Sequence, residues 1–343
     1  MHDGKSGGMR KIRVGVIGLG VGERHVRAFQ NHPQVEVVAL CDKSEEKLAM
    51  AREKYGGVFV TREANKLLRN ASVDAVSIAS YDKDHSRQVV EGLKQGKHVF
   101  VEKPMCLSEE EARKIRQLLV KNPQLHLSSH FPLRRSPRFR ELKKWLKAGS
   151  LGRLYYAEAD YNFGRWEKIV SGWRGKGDNY SVVLGGGIHL VDLLLWLTED
   201  KVEKVSAVGN NLASQEAGLT FNDLVVSNLK FSGGMLAKVT CNFACVHPHY
   251  HAVSVYGTKA TFINGRKKAE LFTGREEEPR QISTSYRQER QKESAPLLFS
   301  FIESILGRGE PEVTSGEVFN ALSVCFAVER AIVSGRLEKV KYI

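Results

Sequence analysis

The sequence predicts two domains: an α/β domain on a doubly wound parallel sheet, then one with an open, mostly antiparallel sheet and helices on one face. Three observations carry this. From Ile12 to Val120 short apolar runs alternate with helical patterns, the signature of parallel strands joined by crossovers. Past about residue 123 the chain offers strand after strand, some separated at hairpin distance. The length, 343 residues, exceeds the usual size of one domain. The domains are placed at 10–123 and 124–343, with the closing residues free to pack back on the first.

In the first domain, Ile12–Ile17 is a short apolar run followed by glycines, which suits a buried parallel strand. A helix over Glu23–Asn31, a strand over Val35–Cys41 and a helix over Ser44–Tyr55 follow. Next come a strand at Ala75–Ala79, a helix over His85–Lys94 and a strand at His98–Val101. Ser108 and Glu111 form a capping box that opens a helix to Val120. In the second domain, strands are expected at Leu154–Tyr161, Val202–Val208, Leu224–Phe231, Met235–Phe243, Ala252–Tyr256 and Ala260–Ile263. Ser232-Gly233-Gly234 and Gly257-Thr258 turn between neighbours. Ile188–Leu197 is the main helix. Arg266–Glu293 is highly charged and reads as irregular. Two helices, near Pro296–Leu306 and Glu317–Ser334, and a short strand, Leu337–Tyr342, close the chain; Thr314 and Glu317 form a second capping box.

Lys plus Arg is 52 and Asp plus Glu 39, a net charge of +13. The surplus is spread along the chain. Its densest clusters, Arg134–Arg140 and Arg266–Lys268, are too short for a nucleic-acid arm, so a solvated basic surface is expected and no nucleic-acid partner. No apolar run approaches the ~18 residues of a membrane span. Residues 1–9 are polar and glycine-rich, unlike a signal peptide, and read as an unstructured tail with Met9 as a second candidate start. Five cysteines without a CxxC pair suit reduced thiols and a cytoplasmic location.

Three segments carry chemistry. Gly18-Leu19-Gly20-Val21-Gly22 follows the first strand and opens a helix, where glycines permit a tight turn and the close approach of a pyrophosphate. It is one residue short of GxGxxG, and the competing reading is a plain glycine turn. Asp42 ends the second strand, where an acid bonds the adenine ribose hydroxyls and disfavours a 2′-phosphate; NAD is therefore expected over NADP. The competing reading of Asp42 is a helix cap. Glu102-Lys103-Pro104 ends a strand of the same sheet, where a lysine can polarise a carbonyl. Gly185-Gly186-Gly187-Ile188-His189-Leu190-Val191-Asp192 opens the apolar helix, and a histidine there is a candidate general base. The competing reading is a satisfied structural histidine. Cys245, His247, His249 and His251 alternate like one face of a strand; a substrate wall or subunit edge is favoured over a metal site, and no metal is expected.

Together these segments resemble the glucose–fructose oxidoreductase, inositol dehydrogenase and rhizopine-catabolism family, from Ile12 to about Val340. The strongest stretch is Asp74–Pro104, DAVSIASYDKDHSRQVVEGLKQGKHVFVEKP, which looks like the family's strand, histidine-bearing loop (His85), helix and Glu-Lys-Pro signature. His25 follows a shortened version of the family's glycine loop. Arg134 and Pro137 resemble the start of its linker segment, and Gly187–Asp192 matches Gly-x-His-x-x-Asp.

The resemblance implies a Rossmann domain and an NAD-dependent enzyme acting on a secondary ring hydroxyl of a sugar or sugar nucleotide. It implies Lys103 and His189 as the catalytic pair. Cofactor contacts are implied at Gly18, Gly20, Gly22, Asp42, Ser80, His85, Glu102, Lys103, Trp173 and Arg174, and substrate contacts at Lys103, Arg165, His189 and Asp192. The family's sheet face packs on another subunit, implying a homodimer or homotetramer. Two departures stand out. Many members carry an aspartate where this chain has Gly185, and Ser80-Tyr81 replaces a common Thr-Pro. With the basic segment Arg165–Lys176, the Gly185 departure turns the substrate expectation toward a UDP-amino-sugar oxidised at carbon 3. An inositol or hexose is the alternative, and a cofactor-binding regulator without turnover is the alternative of another class.

Overall fold

The computed structural model describes residues 11–176, 180–282 and 294–343, which fall into two compact units. The first holds the described residues up to His130 and Ser294–Ser315; the second holds the described residues from Phe131 to Ile282 and from Gly316 to Ile343.

The first unit is a six-stranded parallel sheet with helical crossovers. In chain order it contains β1 (Ile12–Ile17), α1 (Gly22–Gln30), β2 (Val35–Cys41), α2 (Glu45–Lys54), β3 (Phe59–Thr61) and α3 (Ala64–Leu68). It continues through β4 (Ala75–Ile78), α4 (Asp82–Lys94), β5 (His98–Val101), α5 (Glu109–Lys121) and β6 (Leu127–Ser129). The strand order is β3-β2-β1-β4-β5-β6, the doubly wound arrangement whose direction reverses between β1 and β4. Val14, Val16, Ile78, Val99 and Phe100 are buried, as strands covered on both faces require. Ser44 and Ser108 cap α2 and α5, accepting hydrogen bonds from the N–H groups of Lys47 and Glu111. The helix Ser294–Ile305 belongs to this unit: Phe301 packs on Phe100, and His32 meets Phe299 and the Glu303 carboxylate.

The second unit is built on a nine-stranded sheet. Its elements run α6 (Pro137–Lys147), β7 (Leu154–Asn162), α7 (Glu167–Val170), α8 (Ile188–Thr198), β8 (Val202–Asn210), β9 (Leu224–Phe231) and β10 (Leu236–Asn242). Then follow β11 (Tyr250–Gly257), β12 (Thr261–Asn264), β13 (Ala269–Phe272), β14 (Arg280–Ile282), the helix Ser315–Ser334 and β15 (Glu338–Lys339). The order is β14-β13-β12-β11-β7-β10-β9-β8-β15, antiparallel except where β7 and β10 run parallel. One face is apolar and buried, through Ala157, Ala159, Val239, Cys241, Val253 and Val255. The other is mixed rather than apolar. Lys238 reaches Glu158 and Asp160, while Tyr156 stacks on Tyr256 and Leu236 is exposed.

Several expectations are corrected. α4 begins at Asp82 rather than His85, because Asp82 and Asp84 suit a first helical turn. The charged stretch from Arg266 is not irregular: it contains β13 and β14, where Ala269 and Leu271 point inward between charged neighbours. Its remainder, 283–293, lies outside the described residues. Among the described residues no helix is long and apolar enough to cross a membrane.

Candidate active site

The three glycines after β1 each meet a different constraint. Gly18 has φ +88°, and a Cβ there would lie 2.3 Å from the Ala79 carbonyl oxygen. A Cβ on Gly22 would press on Val16 and Ala79, so this glycine lets α1 pack on the sheet. A Cβ on Gly20 would meet only the Lys47 amine, at 3.8 Å, so this backbone is open to a ligand. Tight turn, open approach and close packing are the three tasks of a pyrophosphate-binding loop. No side chain caps the first turn of α1; the Gly22 and Arg24 N–H groups turn to the carbonyls of Gly18 and Val21, and the positive end of the helix faces the glycine loop.

Asp42 is tied to that loop. Its Oδ2 accepts the Leu19 N–H at 2.7 Å and its Oδ1 the Ser44 N–H at 2.9 Å. The nearby cation is Lys47, 3.4 Å away. Lys43 turns to Asp84 instead, at 2.9 Å. A carboxylate fixed at the end of β2, beside an open glycine backbone, fits a dinucleotide.

At the end of β5, Glu102 lies against two histidines. Its Oε1 is 2.9 Å from His130 Nδ1 and 3.4 Å from His25 Nε2, while His25 Nδ1 lies 2.8 Å from Ser77 Oγ. Burial would raise the Glu102 carboxyl, but His130 and then His25 outweigh it and hold it well below its usual value. Burial lowers the pKa of His25, against the pull of Glu102. Among the described residues these three are the group with ligand atoms close enough, within 4.8 Å, to hold a cation or share a proton. Glu102, expected beside the cofactor, is thus engaged by His130 and His25.

His85 differs in the same way. It is buried, with Nδ1 2.8 Å from the Pro104 carbonyl oxygen and Nε2 3.1 Å from that of Ser80. The ring braces the Ser80 loop against the Glu-Lys-Pro turn, and both nitrogens are occupied. Ser80 donates its hydroxyl to Gln88.

In the second unit, a wide π-type turn, Val183–Gly187, leads into α8. Such turns need a local cause, and the glycines supply one. A Cβ on Gly186 would lie 2.4 Å from the Tyr161 ring, one on Gly187 2.5 Å from Cys241 Sγ, and one on Gly185 1.9 Å from the Tyr180 hydroxyl. His189 then stands in an aromatic wall of Phe131, Tyr161 and His251, with ring centroids 6.1–6.5 Å away. β7–β11 pairing sets Tyr161 opposite His251, and His249 packs edge-on to Tyr161.

Asp192 is 1% exposed and both its oxygens are taken by Arg134. Burial pushes its carboxyl up, to about 6, with the Arg134 charge and hydrogen bonds opposing. Burial would lower the Arg134 guanidinium, but Asp192 and Glu317 outweigh it and raise it. Expected as a substrate contact, Asp192 instead fixes the face of α8 that carries His189. Trp173 and Arg174 form a short helical turn, with the guanidinium 4.5 Å from the Trp173 ring centre and 3.1 Å from the Tyr180 hydroxyl. Arg165 lies over the Phe163 ring.

The run Cys245–His251 does not converge. His247 turns to the Pro248 carbonyl and His249 to that of Phe163, and only His251 of the three histidines is on β11. His251 and His249 join the wall around His189. All five cysteines are free.

Two family models match. One, an oxidoreductase family with NAD-binding Rossmann fold, covers residues 12–130; the other, a GFO/IDH/MocA C-terminal domain, covers 139–263. The chain is 27% identical over 342 residues to myo-inositol 2-dehydrogenase of Thermotoga maritima, spanning 97% of this chain and 99% of that one. Scyllo-inositol dehydrogenase from Lactobacillus casei, solved with NAD(H) and scyllo-inositol, shares the fold at TM-score 0.82 and 20% identity, over 96% of this chain and 99% of that one. WlbA dehydrogenase from Bordetella pertussis, solved with NADH and UDP-GlcNAcA, does so at 0.83 and 23%, over 97% and 100%. A dinucleotide loop with its acid, a Glu-Lys-Pro turn and a histidine-bearing helix thus coincide with both halves of one family, and the chain belongs to the GFO/IDH/MocA oxidoreductases, which bind NAD on a Rossmann domain.

Proposed function

We infer that this chain interconverts a secondary ring hydroxyl and its ketone on a cyclic polyol of the inositol type. The observation that carries the reading is the wall of Tyr161, His249 and His251 around His189. It offers aromatic faces and ring nitrogens able to hydrogen-bond, as an uncharged ring of hydroxyls requires. The similarity to myo-inositol 2-dehydrogenase, which runs the length of both chains, supports it.

Bound NAD supplies the hydride acceptor. The hydroxyl proton needs a separate destination, which His189 provides as general base. The C–H bond breaks as hydride leaves, the O–H proton passes to the imidazole, and the C=O bond forms. Lys103 donates a hydrogen bond to the same oxygen and stabilises the developing alkoxide. Trp173 and Arg174 are assigned to the cofactor. Ketone reduction runs the same steps in reverse.

The earlier expectation of a UDP-amino-sugar is kept as a second reading. It is favoured by an open cleft of about 720 Å³ lined by Trp166, Glu216, Cys245 and His247, with Gly164 and Trp166, the chain neighbours of Arg165, on its wall. If Arg165 and Lys168 pair with a diphosphate, affinity falls steeply with salt. Lys176, the third expected partner, has its side chain outside the described residues. One assay separates the readings: NAD reduction by myo-inositol, scyllo-inositol, hexoses and UDP-sugars. Turnover of inositols supports the first reading. Turnover confined to UDP-sugars replaces it with the second, and no turnover by any of them removes both.

A further inference from the structure

Three side chains from separate elements of the first unit converge on one carboxylate oxygen. His25 lies on α1, Glu102 follows β5 and His130 follows β6. Glu102 Oε1 is 2.9 Å from His130 Nδ1 and 3.4 Å from His25 Nε2, and the ligand atoms of the three residues lie within 4.8 Å of one another. These contacts are close, yet they lack hydrogen-bond geometry. Among the described residues, Glu102 Oε1 and His25 Nε2, on a fully buried ring, find no hydrogen-bond partner. Buried polar atoms in that condition need a cause.

The spacing supplies one. Zn2+ is held tetrahedrally by imidazole nitrogen and carboxylate oxygen, with bonds that place neighbouring ligand atoms about 3.3 Å apart. The two measured edges, 2.9 and 3.4 Å, bracket that value. The far side of His25 agrees, since its Nδ1 lies 2.8 Å from Ser77 Oγ. With Nδ1–H donating to that hydroxyl, Nε2 turns a lone pair to the carboxylate, and two acceptors so close need a cation between them. A polar partner on the second ring nitrogen is the ordinary support of a metal-bound histidine. Phe100 packs edge-on to His25 and also meets His130, which keeps the surroundings apolar. Glu102 and His130 each leave 13% of the side chain exposed, a path by which an ion can enter.

We propose that His25, Glu102 and His130 bind a divalent cation of the zinc type, with water completing the shell. The cation ties α1, the helix that opens at the glycine loop, to the ends of β5 and β6. It takes no part in hydride transfer, and the inference stands apart from the polyol reading. No local motif announces the site, because each ligand comes from a different element.

The full chain is stripped with EDTA and titrated with Zn2+ against a chromophoric chelator, and zinc X-ray absorption is recorded on the loaded protein. The expected result is one Zn2+ per chain, in a shell of nitrogen and oxygen at about 2.0–2.2 Å without sulfur. His130→Ala should abolish stoichiometric binding. Ser77→Ala keeps all three ligands and removes only the support of the His25 ring, so affinity should fall about tenfold or more. Cys245→Ser with His247→Gln removes a thiol and an imidazole from the cleft of the second unit, and binding should stay as in the parent. If His130→Ala does not fold, Ser77→Ala and the absorption spectrum decide. A parent chain that takes up no Zn2+ overturns the inference and leaves the cluster as a carboxylate sharing protons with two imidazoles. A sulfur-containing shell, binding lost in the Cys245 and His247 variant, or affinity unchanged by Ser77→Ala overturns it as well.

Discussion

Arg134 grips both carboxylate oxygens of Asp192, Nη2 at 2.6 Å and Nε at 3.0 Å, with both side chains buried. A buried pair stabilises little against its desolvation, but removing Asp192 leaves the buried Arg134 to the part-exposed Glu317 carboxylate, 2.7 Å away. Asp192→Ala should therefore cost about 3–5 kcal/mol. Arg134→Met with Asp192→Leu should cost much less. Urea unfolding measures both; a double variant as unstable as the single one would contradict this.

On the proposed roles, Lys103→Met and His189→Asn should each cut turnover by ~100-fold or more with little change in NAD affinity. The two losses should combine less than multiplicatively, since both serve one proton transfer. Near-normal turnover in the histidine variant would move the base elsewhere.

Cofactor preference should follow Asp42. NAD should bind more tightly than NADP when the two are titrated side by side, because the carboxylate repels a 2′-phosphate. Asp42→Ala removes that repulsion and leaves Lys47 beside the pocket, so NADP affinity should rise. Tighter NADP binding by the parent chain would refute the assignment.

Acid should destabilise the fold partly through His98. Burial, helped by the charge of His126, pushes its pKa down to about 4, and its Nδ1 accepts the His126 N–H. The unfolded chain takes up this proton below ~6.5 and the folded chain does not, so stability falls as pH drops from there toward 4. His25 and His126, also lowered chiefly by burial, add to the slope, while Glu329 and Asp192, raised by burial, oppose it. His98→Gln should flatten the fall in urea midpoint between pH 7 and pH 5. An unchanged slope would rule His98 out.

The mixed face of the larger sheet is proposed to pair with a second copy, giving a dimer or tetramer. Leu236→Glu, beside Tyr156 on that face, should shift the assembly toward monomer in light scattering. A parent chain already monomeric at micromolar concentration would sink the proposal.

Much of this was legible because each signal was local. The glycine loop, Asp42 and Glu-Lys-Pro are contiguous or regularly spaced, and so were the strands with long apolar runs. β3, β6 and β14, of three residues each, carry too little pattern to detect. The side-chain partnerships escaped for another reason. Glu102 meets His25 and His130, and Tyr180 meets Gly185, through the fold rather than the sequence. His85 and Asp192, expected from the sequence as a cofactor and a substrate contact, are held instead by two carbonyls and by Arg134, partners that no local pattern announces.

The wide turn Val183–Gly187 also has a consequence for chain length. Its upstream end is moored by Ser181, whose hydroxyl donates to Glu329 and accepts the Leu184 N–H, and whose carbonyl accepts from Gly185. Its downstream end is the regular helix holding His189. Between two such anchors the residue count behaves like a reading frame. Deleting one residue would rotate Tyr180 and Ser181 by roughly 100° against the histidine while α8 itself stayed whole. Substitutions in this segment are thus limited by volume, but insertions and deletions are limited by phase.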